Sequence, residues 1–358
     1  MKLIGVNIGG YFSHAKDFSQ HHLNTFITEE DIVKIKNWNF NCLRLPVDFN
    51  FFENQKEPYD YIEERLQKIE EVLHWAQKYN MITIFDLHKA PGDSFETKGD
   101  LKNDIWNKNS QTRKRYLKIW EFLAKRFKNQ RNIIYELLNE PVASEDYLWY
   151  DLAKEAINII RSIDETHNII IDANQWAKPG SFYNMPVFNF DKLIYSFHYY
   201  KPHWVTHQKA EWIAFYVRNI HRRKEDYPGN IEIPPDKVKE LKVNLSLERF
   251  KNEIGFWDKE KMESSLEPVL EFREKNNVPI FCGEFGCIAK ADPVTRKNWI
   301  EDLMSIFKEN KISYTYWNYK NMDFGLFDFT EKYANNSNYL NEQRLDTITL
   351  KALQNAIF

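Results

Sequence analysis

The 358-residue chain is expected to fold as an α/β protein, a closed (β/α)8 barrel with a subdomain inserted after its sixth strand. Three observations lead there. Short apolar runs alternate with stretches of helical period, the runs number eight, and the even spacing breaks only once, between the sixth and the seventh. Strands that alternate with helices favour a parallel sheet, and eight of them favour closure over an open sheet.

In chain order the strand runs are Leu3–Asn7, Cys42–Leu45, Ile82–Leu87, Ile133–Leu138, Ile169–Asp172, Leu193–Phe197, Pro279–Gly283 and Ser313–Trp317. Between the first and second, Thr28 reads as an N-cap with Asp31 three residues on, and Ile32, Ile35 and Trp38 follow on one helical face. The next helix carries Ile62, Leu66, Ile69, Val72, Leu73 and Ala76 and ends near Tyr79-Asn80. Similar periods run through Tyr116, Ile119, Trp120, Leu123 and Phe127, and through Leu148, Leu152, Ala156, Ile160 and Ile163. Before the seventh strand a helix is expected over Met262–Lys275. That leaves about 201–261 as an insertion, because roughly eighty residues separate strands six and seven and a crossover needs only a dozen or more. Loops at the C-terminal ends of barrel strands build active sites, so the insertion's His203, Trp204, His207, Trp212, Phe256 and Trp257 either form a small core of their own or wall a cleft. The whole chain, 1–358, is read as one barrel domain, since no Ser/Gly/Pro-rich linker or close repeat marks a boundary.

Composition narrows the function classes. Lys+Arg 49 against Asp+Glu 52 leaves the charge near neutral, which points away from a nucleic-acid groove or a membrane-binding surface. The basic run His221-Arg222-Arg223-Lys224 reads as a solvated helix face. The aromatic share of 16% is high and supplies either core or flat platforms for sugar faces. Cys42, Cys282 and Cys287, odd in number, do not make a disulfide framework or a metal-ligand pattern, so no metal and no cofactor is expected. The start runs straight into a strand without a leader, which is read as cytoplasmic, or as secreted if a leader has been removed. No apolar stretch is long enough to span a bilayer, and a monomer is expected.

The chemistry lies at the strand ends. Glu140, in Leu137-Leu138-Asn139-Glu140-Pro141, and Glu284, in Cys282-Gly283-Glu284-Phe285-Gly286, each follow an apolar run, and a barrel brings such residues together at its C-terminal mouth. Strand two finishes in Arg44-Leu45-Pro46, strand three in Asp86-Leu87-His88, strand six in His198-Tyr199-Tyr200 and strand eight in Trp317-Asn318. Two carboxyl groups about 5–5.5 Å apart hydrolyse a glycosidic bond with retention, one as nucleophile and one as proton donor. Arg44, Tyr200 and His198 are candidates to hold Glu284 ionised, whose charge would keep the proton on Glu140. Asn139 suits the sugar 2-hydroxyl, His88 a neighbouring hydroxyl and Trp317 the apolar face of the pyranose. A barrel that binds sugar without cutting it would have no use for both carboxylates or for Arg44. A phosphate-handling isomerase would carry a Gly-rich anion loop after strands seven or eight, where none is found.

The set Arg44, His88, Asn139-Glu140-Pro141, His198-Tyr199-Tyr200, Glu284 and Trp317 resembles the signature of glycoside hydrolase family 5. The likeness runs through Gly5-Val6-Asn7-Ile8-Gly9-Gly10, Ala90-Pro91-Gly92, Tyr316-Trp317-Asn318-Tyr319-Lys320 and the segment Thr206-His207-Gln208-Lys209-Ala210-Glu211-Trp212, and points to the clostridial endoglucanase type. It implies endo-hydrolysis of β-1,4 bonds in soluble β-glucans with Glu140 as acid/base and Glu284 as nucleophile. It also implies substrate contacts from Arg44, His88, Asn139, His198, Tyr200, His207, Trp212 and Trp317, and a cis peptide after Trp317. A β-mannanase, or an enzyme that trims short oligosaccharides, would use the same pair. Two positions depart from the pattern: Tyr11 stands where tryptophan is usual, offering a smaller stacking surface, and Lys89 stands where a second histidine is common.

Overall fold

The computed structural model describes residues 2–93, 104–210, 212, 224–232, 251–333, 335–339 and 341–357. Eight parallel strands close into a TIM-type barrel: β1 (Ile4–Asn7), β2 (Cys42–Asp48), β3 (Ile82–Lys89), β4 (Ile133–Glu136), β5 (Ile169–Asp172), β6 (Leu193–Tyr199), and, after the short antiparallel pair β7 (Gly229–Ile231) and β8 (Gly255–Trp257), β9 (Ile280–Phe285) and β10 (Ser313–Tyr316). β1 pairs with both β2 and β10, which closes the ring.

Four of the eight barrel strands run further than their apolar stretches. β2 continues to Asp48, β3 to Lys89, β6 to Tyr199 and β9 to Phe285, so Arg44 lies inside its strand instead of ending it. The ladder needs only backbone groups, and at this end of the barrel the inward side chains are polar. β4 does the reverse and stops at Glu136, although Leu137 N still donates to Ile170 O and Asn139 N to Leu87 O. At the other end the interior is apolar: Leu3, Cys42, Ile84, Ile134, Ile170, Ile194 and Phe281 form one buried cluster. Gly5 permits the closest approach there, since a Cβ would lie 1.9 Å from the Cys42 carbonyl oxygen.

The helices follow their periods with two corrections. Thr28 caps Glu29–Asn37 in a capping box with Asp31; Glu63–Lys78 buries Leu66, Ile69, Val72, Leu73 and Ala76; and Gln111–Phe127 buries Tyr116, Ile119, Trp120, Leu123 and Phe127. In Asp146–Arg161 the core face is Trp149, Leu152, Ala153, Ala156, Ile157 and Ile160, while Leu148 and Ile163 are only half-buried. The bulky Trp149 takes the inward position and rotates the apolar stripe. The single helix expected over 262–275 is two, Lys259–Ser264 and Glu267–Asn276. Pro268 lacks the N–H that would bond back to Ser264 and interrupts the ladder.

The chain divides into two compact units. One comprises Met1–His198, Pro268–Glu284 and Ser313–Thr315, the other Tyr199–Glu267, Phe285–Ile312 and Tyr316–Phe358. Much of the expected insertion at 201–261 belongs to the second unit, and its residues 211, 213–223 and 233–250 lie outside the described residues, as does most of the basic run His221-Arg222-Arg223. Within the second unit Trp204 and Trp257 are core residues, whereas Trp212 and Phe256 are exposed. Buried Arg296 ties that unit together through Tyr316 Oη, Tyr339 Oη, Phe324 O and Asp346. The three cysteines are free and buried. Among the described residues no helix is long and apolar enough to cross a membrane.

Candidate active site

Side chains alternate across a strand, so a charged residue in an otherwise apolar barrel strand faces the interior. Arg44 does so from the middle of β2 and is fully buried. Its Nε and Nη2 donate to the two oxygens of Glu136 at 2.9 and 2.7 Å, Nη1 donates to Glu284 Oε1 at 2.7 Å and Asn7 Oδ1 at 2.9 Å, and Nη2 reaches Asn139 Oδ1 at 2.8 Å and Asp86 Oδ2 at 3.0 Å. One guanidinium, carried on β2, therefore aligns residues from β1, β3 and β9, with Glu136 and Asn139 from the β4 segment. Because Arg44 takes the carbonyl oxygen of Asn139, the amide NH2 is the end that remains to donate to a ligand.

The exit of β4 is built by its neighbours. Tyr116 Oη and Trp120 Nε1 both donate to Leu137 O at 3.0 Å, which fixes the chain where it leaves the strand. Three residues on, Glu140 has φ of +46°, a left-handed conformation that is unfavourable for a residue with a Cβ. Its N–H donates to Asp172 Oδ2 at 3.1 Å. The end of β5 is anchored in turn by Trp149 Nε1, which donates to Asp172 O at 2.8 Å, and Asn174 bonds both backbone groups of Ala143.

His198 lies between the acids. Its Nδ1 is 2.8 Å from Glu140 Oε1 and 3.8 Å from Glu284 Oε2, and its Nε2 is 3.6 Å from Asp172 Oδ2. His198, a candidate to hold Glu284 ionised, does face that carboxylate with its charge, while its hydrogen bond goes to Glu140. Burial works against charge on the ring, but the carboxylates of Glu284, Asp172 and Glu140 outweigh it and raise its pKa to about 9. A carboxyl oxygen of Glu140, one of Glu284 and a ring nitrogen of His198 all lie within 4.8 Å of one another. That spacing suits two groups acting on a single anomeric carbon. Gly283 makes room for the ring, because a Cβ there would stand 2.8 Å from His198 Nε2.

Asp86, Glu136 and Asp172 were not singled out from the sequence, although each is an acid inside an apolar strand run, and that was the available signal. Burial raises the pKa of Asp86 well above the usual carboxylate range despite the pull of Arg44. Burial, with the charge of Glu136, pushes Asp172 up to about 7. His88 Nδ1 is bonded to Asp86 Oδ2 at 2.6 Å, and burial holds its pKa well below 6.5, so the imidazole is neutral. Two triads have metal-type donors, Glu136–Asp172–His198 and Glu140–His198–Glu284, but Arg44 occupies both oxygens of Glu136 and one of Glu284.

The remaining expected site residues belong to the second unit. Tyr200, His207, Trp212 and Phe324 form an aromatic cluster, with His207 5.0 Å from Tyr200 and 6.3 Å from Trp212 between ring centres. Trp317 directly follows β10, is 7% exposed, and its bond to Asn318 is cis. Tyr11 corrects an expectation: it is fully buried, stacks on Phe12 at 4.0 Å and donates to Leu23 O, so it is a core residue and not a sugar platform. Lys89 stands 3.7 Å from Asp48.

Residues 6–323 match the family model for cellulase, glycosyl hydrolase family 5. The chain is 37% identical to endoglucanase C of Acetivibrio thermocellus over 331 residues, covering 92% of this chain and 94% of that protein. It is 29% identical to cellodextrinase A of Ruminococcus flavefaciens, covering 86% and 83%. The endoglucanase Cel5A of Thermotoga maritima superposes with a TM-score of 0.74 at 24% identity, over 98% of this chain and 96% of that one. With a family match across nearly its whole length and the paired glutamates on a closed barrel, the chain belongs to glycosyl hydrolase family 5, the cellulase family.

Proposed function

We infer that the protein is a retaining endo-β-1,4-glucanase acting on soluble β-glucans, with Glu284 as nucleophile and Glu140 as acid/base. The observation that carries this reading is the proximity of the two carboxyl groups, each held by a different cation: Glu284 by Arg44 and Glu140 by His198.

Arg44 binds Oε1 of Glu284 and aims the second oxygen. That oxygen attacks C1 as Glu140 gives a proton to the departing glycosidic oxygen, and a glycosyl ester forms on Glu284. Glu140, now a carboxylate, takes a proton from water, which attacks C1 and releases Glu284 with the original anomeric configuration. The NH2 of Asn139 is placed to donate to the 2-hydroxyl, a bond that strengthens as the ring becomes cation-like. His88, neutral and oriented by Asp86, suits a hydroxyl contact.

The named relatives include a cellodextrinase, which favours short oligosaccharides as a second substrate class. The test is to incubate the protein with carboxymethylcellulose, mixed-linkage β-glucan, glucomannan and short cello- and manno-oligosaccharides. Rapid viscosity loss on the glucans, with β-anomers formed first by NMR, is the expected outcome. Release of single sugars from chain ends, preference for mannan, or initial α-anomers would overturn the reading.

A further inference from the structure

Asp172 is buried and takes no part in the two chemical steps above, yet it touches both parts of the acid/base assembly. Oδ2 accepts the backbone N–H of Glu140 at 3.1 Å, at a residue held with positive φ, and the same oxygen is 3.6 Å from His198 Nε2. The other ring nitrogen of His198 is bonded to Glu140 Oε1. A closed path thus runs from Asp172 to the backbone of Glu140, and from Asp172 through the imidazole to its carboxyl. We propose that Asp172 is a positioning residue for the reaction, holding the left-handed backbone of Glu140 and the ring of His198 so that the Glu140 carboxyl points at the glycosidic oxygen.

The proposal rests on the acid/base reading of Glu140 and makes demands of its own. Without Asp172 the Glu140 amide loses its acceptor, and a non-glycine residue relaxes from positive φ toward the ordinary regions, which swings the carboxyl. A shift of about 1 Å at a reacting group lowers rate about 10²-fold. The loss should be selective, because a 2,4-dinitrophenyl cellobioside has a leaving group that needs no proton, whereas a β-glucan does.

Asp172→Ala is expected to lose about 10²-fold in kcat on β-glucan while the first step on the aryl glycoside changes little, with KM on the polymer unchanged. Asp172→Asn keeps an oxygen to accept from Glu140 and should lose less. The Asn variant also lowers the pH at which His198 titrates by 15N NMR, since one facing carboxylate is removed while Glu140 and Glu284 remain, with Glu136 and Arg44 next to Asp172. If both variants cleave β-glucan like the parent, lose both substrates by the same factor, or leave the His198 titration unmoved, the proposal fails. If Asp172→Ala does not fold, the Asn variant decides by the same readings. Glu140→Gln in the same assay separates the two claims: selective loss of polymer cleavage there with a parent-like Asp172→Asn overturns only the role of Asp172, whereas full polymer cleavage by Glu140→Gln removes the acid/base assignment itself.

Discussion

Replacing Arg44 by methionine, of similar length and no charge, tests how the polar end of the barrel is held together. Arg44 is fully buried and shared by Glu136, Glu284 and Asp86, with Asn7 and Asn139 bonded to the same guanidinium. Breaking a single buried ion pair by removing one partner costs about 3–5 kcal/mol, and here three carboxyl groups lose one cation. That is a large part of the roughly 5–15 kcal/mol that keeps a domain folded. Asp86 adds no pH dependence to this loss, because burial already raises its pKa well above the carboxylate range with Arg44 present and removing the cation only raises it further. Urea unfolding of Arg44→Met and parent, followed by tryptophan fluorescence, should therefore show a deficit of about 3–5 kcal/mol at neutral pH. A deficit below about 1 kcal/mol would refute the account of Arg44 as the cation on which this cluster depends.

Two further substitutions probe the same cluster. Glu284→Gln should abolish turnover with an unfolding midpoint close to the parent's, and sustained activity in that variant by reducing-sugar release would remove the nucleophile assignment. Gly283→Ala places a Cβ 2.8 Å from His198 Nε2, so the ring must shift; kcat on β-glucan should fall by about 10²-fold with a Tm change of only a few degrees, and an unaltered kcat would show that the ring position does not matter.

The barrel was legible because its strands are buried on both faces and read as apolar runs, Ile169-Ile170-Ile171 being the plainest case. Strand ends were less so. β2 was expected to stop at Leu45, yet its ladder continues to Asp48, because the interior becomes polar before the hydrogen bonding ends. The same gradient hid Asp86, Glu136 and Asp172. Each lies in the run ahead of a recognisable motif, His88 or Glu140, or closes a strand, and only the register brings them together: Asp86 pairs with Glu136, and Asp172 with Ser196. Tyr11 was misread for a related reason. Following Gly9-Gly10 after a strand, it sits where an active-site aromatic is plausible, and nothing local reveals that its hydroxyl bonds Leu23 O twelve residues on.

The charges of the cluster constrain how it works. Among the described residues, the ion pairs of Asp86, Glu136, Glu140, Asp172 and Glu284 run to two shared cationic groups, Arg44 and His198, in a largely buried volume. With Asp86 protonated by burial and Asp172 protonated below about pH 7, three carboxyl groups oppose two positive charges. A single additional proton makes the set neutral, and in the proposed first step that proton is the one Glu140 delivers. As it leaves with the departing sugar, Glu140 gains a negative charge at the moment Glu284 loses one to the glycosyl ester. The net charge of the buried set is the same before and after, so glycosylation moves one unit of charge across less than 5 Å without placing an uncompensated ion in a low-dielectric interior. Arg44 and His198, each bonded to one of the exchanging carboxyl groups, need only redistribute their bonds. A barrel with the two glutamates but without this matched pair of cations would have to expose a bare charge in one state or the other.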